Sequence, residues 1–369
     1  MKIMFEKAKV VKTISNILIK KKTPVSLIHF LTNRCNARCS FCFIDFDNPK
    51  TFAGELTLKE IEKLTSNMGD TLLNVNFTGG EPFARKDIVD IAKIYIKNTT
   101  IQSIYITTNA SLPERILNFV KEINNFNSKI ELNIQISIDD LPERHNAVRK
   151  IENLFESCLK TYNDLKDLNN EKIKPSVSIT VTEENCSNIK AIFNYFVNDC
   201  KITSIKCCIV RDEGVYKTPQ DKKDRILAAY TWLTDEIKKL KKINKITNYG
   251  DSLQGRIHNK KDDISWEMVK KIYKDNSYIS PCHASSLFGV ITADGKVYPC
   301  EILEDKLIGD LRKNDFNFLE VWNSQENKDV KNFILKTKCK CTYECAMSFN
   351  ILGNWRYQHQ LIKSLLTRY

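Results

Sequence analysis

Glycine is scarce in this sequence: 11 residues in 369, beside 9 prolines, 5 histidines, 5 methionines and 4 tryptophans. Collagen-like and low-complexity chains are rich in glycine and proline, so that class is excluded. Long apolar runs are missing as well. The opening segment, MKIMFEKAKVVKTISNILIKKKTP, is broken by lysine too often for a signal peptide, and no window approaches a membrane span. Histidine pairs at helical spacing do not occur, nor does the double C-x2-C pair of a zinc ribbon. No stripe of alternating aromatic and basic residues offers a stacking surface for bases, so no stable nucleic-acid partner is expected.

What is present is a chain that can fold around a sizeable core, with 42% hydrophobic and 28% charged residues. Lys and Arg (57) outnumber Asp and Glu (45) for a formal net charge of +12. That excess suits an anionic partner, but the lysines are spread along helical stretches such as EIKKLKKINK, residues 236–245, where they read as solvated helix faces. The 13 cysteines fall in clusters near both ends with five between. In a long chain without a signal sequence they do not read as a disulfide scaffold, and a reducing, cytoplasmic location is expected.

From residue 24 to about 210, β-rich apolar runs alternate with helical periods, the pattern of βα units around a parallel sheet. Six strands are predicted, at 25–31, 72–77, 103–108, 131–138, 176–181 and 204–210. The first helix opens with Thr57-Leu58-Lys59-Glu60, a capping box. The organisation predicted is a basic, helical extension over 1–23, a core over 24–218, a helical connector over 219–281 and a small α+β unit over 282–369. The last unit begins with a hairpin turning at Asp294-Gly295. The fold class is α/β.

Cys35, Cys39 and Cys42, spaced C-x3-C-x2-C, directly follow the first strand and so sit in a βα loop at the C-terminal end of the sheet. A structural zinc wants four protein ligands, and no fourth Cys or His lies near. A cubane iron–sulfur cluster on three thiolates leaves one iron open. The spacing, with Phe41 before the last cysteine, resembles the signature of radical S-adenosylmethionine (SAM) enzymes. The resemblance implies a partial (β/α)6 TIM-type barrel and a [4Fe-4S] cluster whose fourth iron is held by exchangeable SAM.

One βα unit later, Phe77-Thr78-Gly79-Gly80-Glu81-Pro82 spends two of the few glycines where a strand turns sharply and a ligand can approach its backbone. It resembles the family's GGE motif, which implies that Gly79, Gly80 and Glu81 accept from the SAM ammonium. TTNA at 107–110 and SIDDLPERHNAVR at 137–149 are similar to later strand ends of the family and bring in Asn109, Ser137 and Arg149. Phe41 would meet the adenine. Asp140 and Asn146 depart from the family's usual Gly and Asp, which puts borrowed substrate geometry in doubt.

Cys282, Gly295 and Cys300, spaced C-x12-G-x4-C, resemble the opening of a SPASM/twitch extension, which carries auxiliary iron–sulfur clusters. Cys339, Cys341 and Cys345 can close that site, but no cysteine follows 345. Five thiols imply one auxiliary [4Fe-4S] cluster on Cys282, Cys300, Cys341 and Cys345, with Cys339 the uncertain member. A structural zinc on the same thiols is the competing reading. The remaining cysteines, Cys158, Cys186, Cys200, Cys207 and Cys208, read as small packed hydrophobes.

The resemblance implies an enzyme that cleaves SAM reductively to a 5′-deoxyadenosyl radical, fed by a flavodoxin- or ferredoxin-type electron donor. Because 34 residues precede Cys35, too few for a recognition domain, a small molecule such as a sugar or nucleotide derivative is the expected substrate. The alternatives are a peptide- or protein-modifying maturase served by a separate recognition protein, and a zinc protein that binds nucleic acid. An acid, base or radical-quenching residue is sought at Arg211, Asp212 and Tyr216, after the sixth strand.

Overall fold

The computed structural model describes residues 10–366 apart from 53, 213 and 214. Residues 1–9 of the predicted extension lie outside the described residues; residues 10–15 are helical and continue into a π-helical turn, Asn16–Lys20. The buried Asn16 side chain holds the chain as it leaves the helix, donating to the Thr23 carbonyl and accepting from the Lys22 amide.

Six strands follow, all within about three residues of expectation: β1 Ser26–Thr32, β2 Asn74–Gly79, β3 Ser103–Thr108, β4 Glu131–Ser137, β5 Ile173–Val181 and β6 Ile205–Ile209. They pair in chain order and all in parallel. Their two faces separate by the period of two. Leu27, Val75, Phe77, Ile104, Ile134 and Ile179 face the covering helices and are fully buried with Ile61, Ile91, Phe119 and Tyr162 from those helices. The other face is polar, with Asn74 and Asn76, Glu131 and Asn133, Ser176 and Ser178, and Lys206. A sheet with helices on one face and polar side chains on the other is the arrangement of a partial barrel, whose mouth lies at the C-terminal strand ends.

Helix Leu58–Ser66 carries the predicted capping box: Thr57 Oγ1 accepts from the Glu60 amide and the Glu60 carboxylate accepts from the Thr57 amide. The connector is helical, Lys223–Lys242 followed by Leu253–Asp275. Asp262, on the second of these, reaches Lys206 at 3.3 Å.

The hairpin is where the structure adds to the sequence reading. β7 (Phe288–Ile291) pairs in parallel with β1, and β8 (Lys296–Tyr298) and β9 (Gly309–Asp310) continue antiparallel, so one nine-stranded sheet runs β6-β5-β4-β3-β2-β1-β7-β8-β9. The small C-terminal unit therefore grows from the free edge of β1, whose backbone groups need partners. Gly289 permits it, because a Cβ there would stand 2.7 Å from the Trp322 ring. Two helices follow, Phe318–Asn323 and Gln325–Lys336, separated by Ser324, whose side chain caps the second.

Candidate iron–sulfur and SAM site

The loop bearing Cys35, Cys39 and Cys42 leaves β1 and is fixed at once to the end of β2. The Gly80 amide donates to the Thr32 carbonyl at 2.8 Å and the Glu81 amide to the Arg34 carbonyl at 2.9 Å. The two glycines make this possible. Gly79 has φ 124°, and a Cβ there would lie 2.0 Å from the Thr32 carbonyl oxygen; one on Gly80 would lie 2.2 Å from that of Arg34. What approaches these glycines is the backbone of the cysteine loop. All three cysteines are half-buried and in no disulfide. Burial pushes each up, Cys39 to about 11, against the opposing charge of Arg149.

Glu81 is buried and its carboxylate accepts from the Phe83 amide (3.1 Å), the Thr108 hydroxyl (2.7 Å) and the Asn109 amide (2.8 Å). It thereby clamps the end of β2 to the end of β3. Burial pushes this carboxyl up, and the three donors oppose the rise. Asn109 reaches back to the cysteine loop, donating to Asn36 Oδ1 at 3.0 Å with its amide 3.8 Å from Cys35 Sγ. Arg149 is buried, and its guanidinium stands 6.0 Å from the Phe41 ring centroid while its carbonyl accepts from the Arg38 amide. Ser137 ends β4, in register with Ser178 of β5.

Sequence reasoning missed Asp139, the centre of this corner. Its carboxylate takes Arg149 Nε at 3.1 Å and the Thr180 amide at 2.8 Å, and its amide donates to His145 Nδ1. The signal available was an acid at the fourth strand end, ten residues before Arg149. Asp140, which departs from the family pattern, accepts from the Leu141 amide and pairs with Arg144. Asn146, the other departure, accepts from the Phe155 amide.

The five C-terminal thiols, Cys282, Cys300, Cys339, Cys341 and Cys345, converge on one small cavity with Phe288, Glu301, Ile302, Tyr343 and Ala346. Five soft sulfur donors in an apolar surround fit an iron–sulfur cluster. The cavity touches all five and does not single out Cys339 as the spare. Cys282 and Cys339 are hydrogen-bonded to each other, which pushes Cys282 up and brings Cys339 down to about 7. Among the described residues no three His, Cys, Asp or Glu side chains are drawn together as around a single ion.

Arg211 joins the two cysteine regions. It donates to Glu301 Oε1 at 2.8 Å, stacks 4.0 Å from the Tyr343 ring centroid and lies 5.6 Å from that of Phe43. Its neighbours in the chain do other work: Asp212 accepts from the Thr218 amide and hydroxyl, and Tyr216 donates to Glu183 at 3.4 Å. Glu301, Tyr343 and Phe43 were not picked out from the sequence, although each sits one or two residues from a cysteine of the two sets. Of the scattered cysteines, Cys158, Cys200 and Cys207 are buried, whereas Cys208 stands on the polar face, 3.5 Å from Thr180 Oγ1. No helix among the described residues is long and apolar enough to cross a membrane.

Comparison with known proteins gives two family matches: the radical SAM superfamily over residues 30–195 and an iron–sulfur cluster-binding domain, SPASM, over residues 282–346. Among curated proteins, GTP 3′,8-cyclase of Haemophilus ducreyi is 28% identical over 148 residues, 39% of this chain and 41% of the cyclase. The chain thus spans about two fifths of that relative. The cysteine-type anaerobic sulfatase-maturating enzyme of Clostridium novyi is 26% identical over 334 residues, 85% of this chain and 83% of that enzyme. Among solved structures, anSMEcpe with bound AdoMet shares the fold at TM-score 0.60 and 18% identity, over 93% of this chain and 96% of its own. SuiB of Streptococcus suis bound to SAM shares it at TM-score 0.60 and 16% identity, over 89% and 72%. Both cysteine regions lie inside the matched segments: residues 30–195 carry a radical SAM domain and residues 282–346 a SPASM-type iron–sulfur domain.

Proposed function

We propose that this chain is a radical SAM maturase that modifies a peptide or protein substrate. One observation carries the reading. The sulfatase-maturating relative aligns over 85% of this chain and 83% of its own length, whereas the nucleotide cyclase aligns over 39% of this chain. The substrate expected from the sequence, a small molecule, therefore gives way to the alternative.

In this reading Cys35, Cys39 and Cys42 would hold a [4Fe-4S] cluster that binds SAM. When bound, the pair supplies one-electron cleavage of SAM and, through it, hydrogen-atom abstraction from an unactivated carbon. The chain's own residues place and shield that chemistry. Gly79 and Gly80 fix the cysteine loop, and Glu81 locks the adjoining strand ends. Phe41, Asn109, Ser137 and Arg149 would contribute to the SAM pocket. Cys282, Cys300, Cys341 and Cys345, with Cys339 as fifth candidate, would hold one auxiliary cluster, which could take an electron from the substrate. A flavodoxin- or ferredoxin-type protein donates electrons. Among the described residues no cysteine is joined in a disulfide, in keeping with a reducing, cytoplasmic setting.

The test is isotopic. Reconstituted, reduced protein is incubated with SAM and either deuterium-labelled peptides or labelled nucleotides and sugars, and 5′-deoxyadenosine is weighed by mass spectrometry. Deuterium is expected from peptides. Transfer from nucleotides or sugars alone overturns the reading.

A further inference from the structure

We propose that Arg211 sets the reduction potential of the auxiliary cluster by offsetting the charge of Glu301. This rests on the reading above, in which Cys300 and Cys345 are ligands of that cluster.

The geometry is a charge pair built onto the cysteine site from outside it. Arg211 follows β6, on the barrel, while Glu301 follows Cys300, 90 residues on. The guanidinium donates to Glu301 Oε1 at 2.8 Å and lies over the ring of Tyr343, 4.0 Å away, midway between Cys341 and Cys345. A third neighbour, the Phe43 ring, comes from the residue after Cys42. So one cation is held by residues adjoining cysteines of both sets, which fixes its place relative to each. A planar, forked group can pair with a carboxylate edge-on and stack on an aromatic face at once; an ammonium cannot.

Glu301 makes the pair consequential. Its second oxygen accepts from Cys345 Sγ at 3.5 Å. A thiolate that holds iron has no proton to donate, so in the loaded protein this carboxylate faces an anionic sulfur, and Arg211 is the cation beside it. Cluster potentials respond to nearby charge and to hydrogen bonding at the sulfurs. Reduction adds one negative charge to the cluster. A bare Glu301 disfavours that step, and Arg211 restores it. The two residues must then act with opposite sign, a pattern that packing alone does not produce.

The experiment is a potentiometric titration of the full-length, reconstituted holoenzyme followed by electron paramagnetic resonance, with and without SAM. The signal that SAM leaves unchanged reports the auxiliary cluster. Arg211→Gln is expected to move its midpoint to lower potential, and Glu301→Gln to move it to higher potential. The double variant should return close to the unmodified protein, and Arg211→Lys should fall between it and Arg211→Gln. If Arg211→Gln does not retain the cluster, the upward shift in Glu301→Gln and the partial shift in Arg211→Lys still decide. Shifts of the same sign in both single variants, or none in either, overturn the proposal. A single cluster signal and about four iron atoms per chain in the unmodified protein would instead remove the auxiliary-cluster reading beneath it.

Discussion

Gly80 and Arg34 meet backbone to backbone, so closely that a Cβ on the glycine would stand 2.2 Å from the Arg34 carbonyl oxygen. Neither side can yield, because both are main chain, and the Arg34 carbonyl is also the acceptor for the Glu81 amide. Replacing Gly80 with Ala must therefore push the cysteine loop away from β2 or strain both. We expect a stability loss of about 3 kcal/mol in the metal-free protein, as for overpacked cores, and reduced iron at the first site. Thermal unfolding and iron per chain check this; an unchanged melting temperature with full iron would contradict it.

This contact marks where the sequence stopped being readable. A pair of glycines in a glycine-poor chain signals that some group comes close to the backbone. It does not say which, and the approaching group is the chain's own cysteine loop. The six parallel strands were legible because each carries its alternation locally. The joining of β7 to β1 was not, since an edge finds its partner across more than two hundred residues of chain with no local mark. The cysteines were legible by spacing, whereas Asp139 and the Arg211–Glu301 pair are tertiary contacts between residues ordinary in their own segments.

Arg149 and Asp139 form an ion pair beside Cys39, with both side chains under a tenth exposed. Removing one member of such a pair leaves the other buried and uncompensated, at a cost of about 3–5 kcal/mol. Arg149→Met should lose stability on that scale. The double variant Arg149→Met with Asp139→Asn should recover part of the loss, because the stranded charge goes too. Denaturant unfolding of the four proteins gives the coupling directly, and additive losses would argue against the pair.

Lys206 points from β6 into the polar face, 3.3 Å from Asp262 and with its ammonium 3.1 Å from the Tyr249 ring centroid. Burial brings its pKa down from 10.5 to about 8, with Asp262 opposing the fall. The folded state therefore binds fewer protons than the unfolded state between those values, and stability rises with pH across that window. By this linkage the rise amounts to about 3 kcal/mol at most. Thiols elsewhere titrate in the same range, so the measurement is the difference between the unmodified protein and Lys206→Met, which should widen in favour of the unmodified protein from pH 8 to 10.5. A difference independent of pH would show that folding leaves the Lys206 pKa unshifted.

Five thiols meet at the C-terminal cavity, and a cubane needs four. Single cysteine-to-alanine variants separate ligands from the spare. If Cys282, Cys300, Cys341 and Cys345 hold the cluster, each of those variants should fall from about eight iron atoms per chain towards four, whereas Cys339→Ala should keep about eight. The reverse result for Cys339 and Cys341 would exchange their roles. One zinc with about four iron atoms in the unmodified protein would mean that the site is a closed tetrahedral zinc centre. Replacing Cys35, Cys39 and Cys42 together should abolish SAM cleavage outright, because all three assigned ligands of the cluster that binds SAM are then gone. Cys300→Ala should retain part of the cleavage and lose modified product. That contrast separates the cysteines that start the reaction from those that complete it, and SAM cleavage undiminished in the triple variant would refute the assignment of the first set.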